Sequence, residues 1–221
     1  MTALFFAFMN QEKENRFNLI NDFRRFYELL QNGAQFCAFD TETTGLKSES
    51  DRIIEIGAVK FDKTGVLDSF GTLVHSEIPV SEAASKINHI TNDMLINCPK
   101  PEQVMADFLR ISKDCILIAH NAQFDIRFVN AELERQGKLP LRNKAIDTLR
   151  FTRWAYPENE HWTLQHLAQQ LNINVENAHR AEDDARVCME IFLQTVIATK
   201  DRKKGKRKPA LKNPKLQPCE G

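Results

Sequence analysis

Gln35–Glu42 (QFCAFDTE), Ile53–Asp62 (IIEIGAVKFD), the turn Lys63-Thr64-Gly65 and Val66–His75 together decide the fold. Gln35–Glu42 reads as a strand. Ile53–Asp62 is rich in β-branched residues and reads as a second. The Gly-containing turn joins it to a third strand, so strands two and three form a hairpin. Working outward, Val80–Asn88 and Pro101–Ser112 read as helices. The short apolar run Cys115–His120 (CILIAH) fits a buried strand. Ala122–Gly137 carries Phe124, Phe128, Ala131 and Leu133 near one helical face. Lys144–Thr148 is a candidate fifth strand, and helices follow at Leu149–Ala155, Thr163–Leu171 and Ala181–Thr199. The order is that of a mixed α/β domain with helices around one sheet.

Outside this unit, Phe17, Ile20, Phe23, Tyr27 and Leu30 recur at helical spacing. Asn32-Gly33 is a plausible stop, since glycine tolerates the left-handed conformation past a helix end. Residues 1–34 are therefore expected to form an extension with an amphipathic helix, ahead of a domain spanning 35–199. From Lys200 the apolar pattern ends and Lys, Arg and Pro dominate, so 200–221 is expected to be a disordered basic tail. That tail holds nine lysines and arginines against two acids, so it carries +7 and the remainder −7 on a chain of zero formal net charge. An acidic body with a basic tail points toward a nucleic-acid partner for the tail.

The 221 residues suit one domain plus extensions. A hydrophobic content of 42% with 15 Phe supplies a core, and only 8 Gly and 8 Pro exclude a collagen-like or linker-like chain. The longest apolar run, Leu4–Met9, is far shorter than the roughly 20 residues of a membrane-spanning helix. It also lacks the flanks of a signal peptide. The five cysteines form no CxxC pair and read as reduced thiols of a cytoplasmic protein.

Three segments could carry chemistry. Asp40 and Glu42 are two apart near a strand end, so both carboxylates point to the same side. Carboxylates so close repel each other unless a cation lies between them. Thr41, Thr43, Thr44 and Gly45 make a Thr/Gly-rich turn that offers hydroxyls and backbone amides to a ligand. His120–Asp125 (HNAQFD) follows the fourth strand, and Asp125 falls in a first helical turn, where its charge also suits the helix dipole. His179 lies just before the last helix and Asp184 one turn into it. Each segment alone reads equally well as surface charge or helix capping. Together they give four carboxylates and a histidine at element ends. Hard oxygen ligands without cysteine select Mg²⁺ or Mn²⁺, and two such ions are the usual device for in-line phosphoryl chemistry.

In this order, Phe39-Asp40-Thr41-Glu42-Thr43-Thr44-Gly45-Leu46, His120-Asn121-Ala122-Gln123-Phe124-Asp125 and His179-Arg180-Ala181-Glu182-Asp183-Asp184 resemble the three motifs of the DEDDh 3′→5′ exonucleases. Within that family the chain looks most like the branch of proofreading epsilon subunits of bacterial DNA polymerase III and their stand-alone relatives. The likeness covers about residues 35–199, including Ile53–Ala58. It implies a ribonuclease-H-like fold, a mixed five-stranded sheet flanked by helices, and two Mg²⁺ ions, with Mn²⁺ able to substitute. By position Asp40, Glu42 and Asp184 match ligands of the first ion, Asp40 bridges to the second, and Asp125 matches the fourth acid. His179 matches the general base. Thr43, Gly45 and Leu46 match the turn that holds the 3′-terminal nucleotide, with Leu46 as a wedge against a base, and Asn121 lies in the second motif beside it. Many relatives carry His-Gly-Ile-Thr where this chain has Asn88-His89-Ile90-Thr91, which alters the segment near that nucleotide.

The resemblance implies hydrolysis of DNA from a free 3′ end to 5′-mononucleotides, in proofreading or repair. The motifs equally allow RNA 3′-end trimming, and a non-catalytic polymerase accessory subunit is the third reading. The implied partner is a nucleic acid with a free 3′ end, either single-stranded DNA or a frayed terminus. A DNA polymerase subunit is a further candidate, although the tail shows no clamp-binding peptide. No membrane partner is implied.

Overall fold

The structure is a computed structural model and describes residues 17–202. The apolar run at 4–9, the rest of residues 1–16, and the basic tail from 203 onward, with Cys219 and the expectation of disorder there, lie outside the described residues. Five strands form one sheet: β1 (Phe36–Thr43), β2 (Ile53–Asp62), β3 (Gly65–Leu73), β4 (Ile116–Ala119) and β5 (Ala145–Asp147). Their spatial order is β3-β2-β1-β4-β5. The β1–β2 and β2–β3 pairs are antiparallel, whereas β4 runs parallel to both β1 and β5. The helices are α1 (Phe26–Gln31), α2 (Glu82–Asn88), α3 (Pro101–Ile111), α4 (Ala122–Arg135), α5 (Thr148–Ala155), α6 (Leu164–Gln170) and α7 (Ala181–Thr199). Short 3₁₀ turns cover Phe23–Arg25 and Asn92–Leu95.

Helices cover both faces of the sheet, so the central strands read as continuous apolar runs. Alternate residues feed opposite layers. Phe36, Ala38, Val59, Phe61 and Ile118 meet α1, α5, α6 and α7 on one face. Cys37, Phe39, Ile56, Ala58 and Leu117 meet α3 and α4 on the other. The first layer is dominated by phenylalanines. Phe26 and Phe151 pack edge to face at 4.8 Å, while Phe192 lies 5.3 Å from Phe36, which stacks on Phe61 at the same distance. Buried rings in these arrangements add about 0.5–1.5 kcal/mol per pair beyond the area they remove from water.

The segment 17–30 departs from the single helix that its spacing predicts. Leu19 continues the sheet beyond β5 by a single parallel bridge to Ala145, next to Asn18 in the left-handed region at φ 40°. Ile20 N donates to Ala145 O at 2.8 Å, and Ala145 N donates to Asn18 O at 3.1 Å. Helical backbone begins only at Phe23. The physical reason is that the segment crosses the sheet edge. Phe17 and Leu19 pack into one layer, and Ile20, Phe23, Phe26 and Leu30 into the other. One helical face could not reach both.

The longest helix, α7, packs across β1 and β2. Its first turn touches β2 at Gly57, where a Cβ would lie 2.2 Å from the Ala181 carbonyl carbon and the Glu182 amide nitrogen. Only glycine allows this approach. Overpacking a tight contact costs about 1–3 kcal/mol, sometimes more. Gly57→Ala is therefore expected to lower the melting temperature by roughly 2–12 °C, at about 2–4 °C per kcal/mol for a chain of this size. Differential scanning calorimetry of the variant checks this.

Candidate active site

The three chemistry-bearing segments converge on one cavity of about 450 Å³. Asp40, Thr41 and Glu42 from β1, Asn121 and Asp125 from the start of α4, and His179 and Asp184 at the start of α7 all line it. Glu42, His179 and Asp184 are brought closest, with one ligand atom from each lying within 4.8 Å of the others. Asp40 and Asp125 lie outside that tight group but share the cavity.

Asp125 and Asp184 are each held by hydrogen bonds from a nearby segment. Asp125 is buried, and its Oδ1 accepts from both the amide (3.1 Å) and the hydroxyl (2.7 Å) of Thr41. Thr41 lies between Asp40 and Glu42 in β1, so its side chain leaves the sheet on the opposite side from theirs. One strand thus sets three acids. Asp184 Oδ2 accepts the His179 amide at 3.2 Å across a left-handed residue, His179 itself at φ 63°. The neighbouring Asp183 points elsewhere. It accepts the amides of Glu176 and Asn177 and pairs with Arg186, which shapes the loop ahead of α7.

The electrostatics are those of a cation site. Desolvation, then repulsion from Asp125, Asp184 and Glu42, pushes Asp40 well above the usual carboxylate range. Burial raises Glu42 to about 8, against a hydrogen bond from Asn88 that draws it down. Burial likewise raises Asp125 to about 7 and Asp184 to about 6. The Oδ1 atom of Asp184 is buried with no hydrogen-bond partner. Four hard carboxylates, a nearby imidazole and an orphaned oxygen fit a divalent metal centre.

Beside the acids, Leu46 stands 80% exposed at the tip of the loop after β1. The base of that loop is fixed. The Asp51 carboxylate fills the space beneath Gly45, where a Cβ would meet it at 2.6 Å, and accepts the Lys47 amide at 2.7 Å. Thr43 Oγ1 donates to Gly45 O at 2.6 Å. Buried Glu132 of α4 binds Arg52 through two hydrogen bonds and Arg135 through one, and Arg135 also donates to Ser48 O. Asn88 is buried, with Nδ2 3.5 Å from Thr43 O and Oδ1 accepting the Ile90 amide. His89 is exposed and left-handed at φ 57°, a backbone conformation that glycine adopts at least cost.

Reading the sequence alone missed several supporting residues. Glu55 of β2 is buried, takes two bonds from Arg180 and accepts the Ala181 amide at 3.2 Å. A carboxylate inside an apolar strand was the available signal, because such a group must be paired. His120 donates from Nε2 to Trp162 O at 2.8 Å, with Nδ1 3.0 Å from Thr148 Oγ1. Burial lowers its affinity for a proton, so it serves as a neutral brace. Asp147 caps α5 by accepting the Arg150 amide, and it also accepts that of Asn121.

The sequence model of the exonuclease family matches residues 37–192. The DNA polymerase III subunit epsilon of Treponema pallidum (strain Nichols) is 50% identical over 172 residues, 77% of this chain and 80% of that protein. A PolC-type DNA polymerase III of Caldanaerobacter subterraneus is 38% identical over 160 residues, 72% of this chain but only 11% of that much longer protein. Among solved structures, E. coli exonuclease I in complex with a dT13 oligonucleotide superposes with a TM-score of 0.65 at 20% identity, over 76% of this chain and 41% of that one. The family match spans all three site segments, and the chain accordingly belongs to the exonuclease family and is a 3′→5′ exonuclease.

Proposed function

We propose that this chain shortens DNA strands from their free 3′ ends, releasing nucleoside 5′-monophosphates in proofreading or repair, as a cytoplasmic enzyme working beside a DNA polymerase. The observation that carries the reading is the convergence of Asp40, Glu42, Asp125, Asp184 and His179 on one cavity. The 50% identity to an epsilon subunit supports DNA as the substrate and a polymerase as the partner. Asp40, Glu42 and Asp184 would hold one Mg²⁺, and Asp40 and Asp125 a second, with Mn²⁺ able to substitute. Bound there, the ions supply charge neutralisation and Lewis-acid assistance to in-line displacement at phosphorus.

The chain's own residues do the rest. A ring nitrogen of His179 takes the proton of the attacking water. A new P–O bond forms, the bond from phosphorus to the 3′-oxygen breaks, and that oxygen takes a proton from solvent and stays on the shortened strand as its 3′-hydroxyl. Leu46, on its braced loop, wedges against the terminal base, while Thr43, Gly45, Asn88, His89 and Asn121 border the terminal nucleotide. The basic tail holds the strand by phosphate contacts. Its first described arginine supports this placement. Arg202 donates to the carbonyls of Trp154 (3.0 Å) and Ala155 (2.5 Å) and stacks over Trp154. The last described residue thus lies beside α5, a helix that lines the cavity.

Asp40→Ala is expected to abolish Mg²⁺-dependent mononucleotide release from single-stranded and 3′-mismatched DNA. His179→Ala should lose about 10²–10⁴-fold in rate while keeping its thermal stabilisation by Mg²⁺. Turnover by Asp40→Ala, or a normal rate for His179→Ala, removes the residue from the mechanism. Faster release from RNA than from DNA would reassign the substrate.

The raised carboxyl affinities set a pH dependence for the metal-free protein. The folded state holds protons on Asp184, Asp125 and Glu42 up to about 6, 7 and 8, whereas the unfolded chain releases them near 4. Their contribution to stability is full below the unfolded value and is lost as pH rises through the folded ones. In EDTA the melting temperature should fall between pH 5.5 and 8.5, and Mg²⁺ should restore it most at the alkaline end. A flat or rising profile in EDTA contradicts the site's electrostatics.

Deleting residues 203–221 removes seven lysines and arginines. If all seven contact phosphates, the slope of log affinity against log salt for single-stranded DNA should become shallower by up to about 5. An unchanged slope in fluorescence-anisotropy titrations rejects the tether.

A further inference from the structure

The cavity that holds the acids is also lined by one guanidinium. Arg153, exposed on α5, lines the cavity and stacks over Trp162, its Cζ 5.5 Å from the ring centroid. The other ionisable side chains lining the cavity are Asp40, Glu42, Asp125 and Asp184 and the imidazoles of His120 and His179. Arg153 makes no ion pair among the described residues. Its support is rigid. The Trp162 carbonyl is fixed by His120 at 2.8 Å, and its indole N–H donates to Tyr156 O at 3.3 Å. One ring face is already occupied by the guanidinium, so Trp162 serves the arginine rather than stacking on a base there.

A polyanion entering this cavity meets four carboxylates. The bond that is cut lies among them, where divalent cations offset the charge, but a strand carries a further phosphate upstream. Among the described residues that line the cavity, Arg153 alone offers that phosphate a guanidinium. A guanidinium over an aromatic ring gains a cation–π contact, and its planar fork matches the oxygens of a phosphodiester. We propose that Arg153, backed by Trp162, binds the first phosphodiester on the 5′ side of the scissile bond and so sets the enzyme's preference for strands over single nucleotide esters. This assignment rests on the exonuclease reading above.

The test compares two substrates in Mg²⁺. Thymidine 5′-monophosphate p-nitrophenyl ester carries the scissile phosphodiester alone, and a single-stranded oligonucleotide carries the upstream one as well. Arg153→Ala should lose about 10–100-fold in kcat/KM on the oligonucleotide, mainly through KM. That loss should exceed the loss on the ester by at least tenfold, and Arg153→Lys should recover part of it. Replacing the first upstream phosphodiester with a neutral methylphosphonate should cost the parent enzyme a similar factor and add little to the Arg153→Ala loss. Equal losses on both substrates would mark Arg153 as structural and overturn the proposal. So would a variant as sensitive to the methylphosphonate as the parent. A parent enzyme that hydrolyses neither substrate would instead overturn the exonuclease reading itself.

Discussion

Everything at the active site depends on how the first turn of α7 is fastened to the sheet. Gly57 lets the backbone of Ala181 and Glu182 approach β2 more closely than any side chain would allow. Two positions earlier in the strand, Glu55 grips Arg180 and the Ala181 amide from within the core. These contacts bring Asp184 and His179 to the acids of β1 despite a charge interaction that opposes it. Removing Arg180 would leave a buried, unpaired carboxylate, which is far more costly than the net worth of an intact pair. The pairing is thus better understood as fixing position than as adding stability.

The same logic runs through the rest of the site. Thr41 commits both its amide and its hydroxyl to anchoring Asp125. Glu132 sits one helix away from Leu46 yet fixes the base of its loop through Arg52 and Arg135. His120, the first residue of a catalytic motif, braces the wall that carries Arg153. Four raised carboxyls can be held together only by a frame of neutral hydrogen bonds and remote ion pairs, since any cation placed directly among them would compete with the metal.

How much of this was legible in the sequence varied with range. The β2–β3 hairpin was readable from a β-branched run and a Gly turn, and α7 from its apolar periodicity, because local chemistry determines both. The three acidic segments were readable because Asp and Glu at strand and helix ends are conspicuous. Asp183 and Asp184 could not be told apart by spacing alone. What separates them is that Asp183 is captured by two backbone amides and Arg186. Glu55 and Arg180 are 125 residues apart, and no local pattern predicts that pairing. Residues 17–30 misled for a related reason. Apolar residues three apart suit a helix, but they also suit a chain that divides its side chains between two layers.

That division has a consequence for where the folded unit begins. By motif, the catalytic body starts near residue 35. Yet residues 18–20 cap the outer hydrogen-bonding edge of β5, and Phe23 and Phe26 complete the aromatic layer against Phe151. An enzyme trimmed to its motifs would present bare strand edges at both β3 and β5, with a hydrophobic hollow beside the second. Such edges are templates for pairing with other chains. The stretch ahead of the motifs therefore acts as a guard against self-association as much as a part of the core.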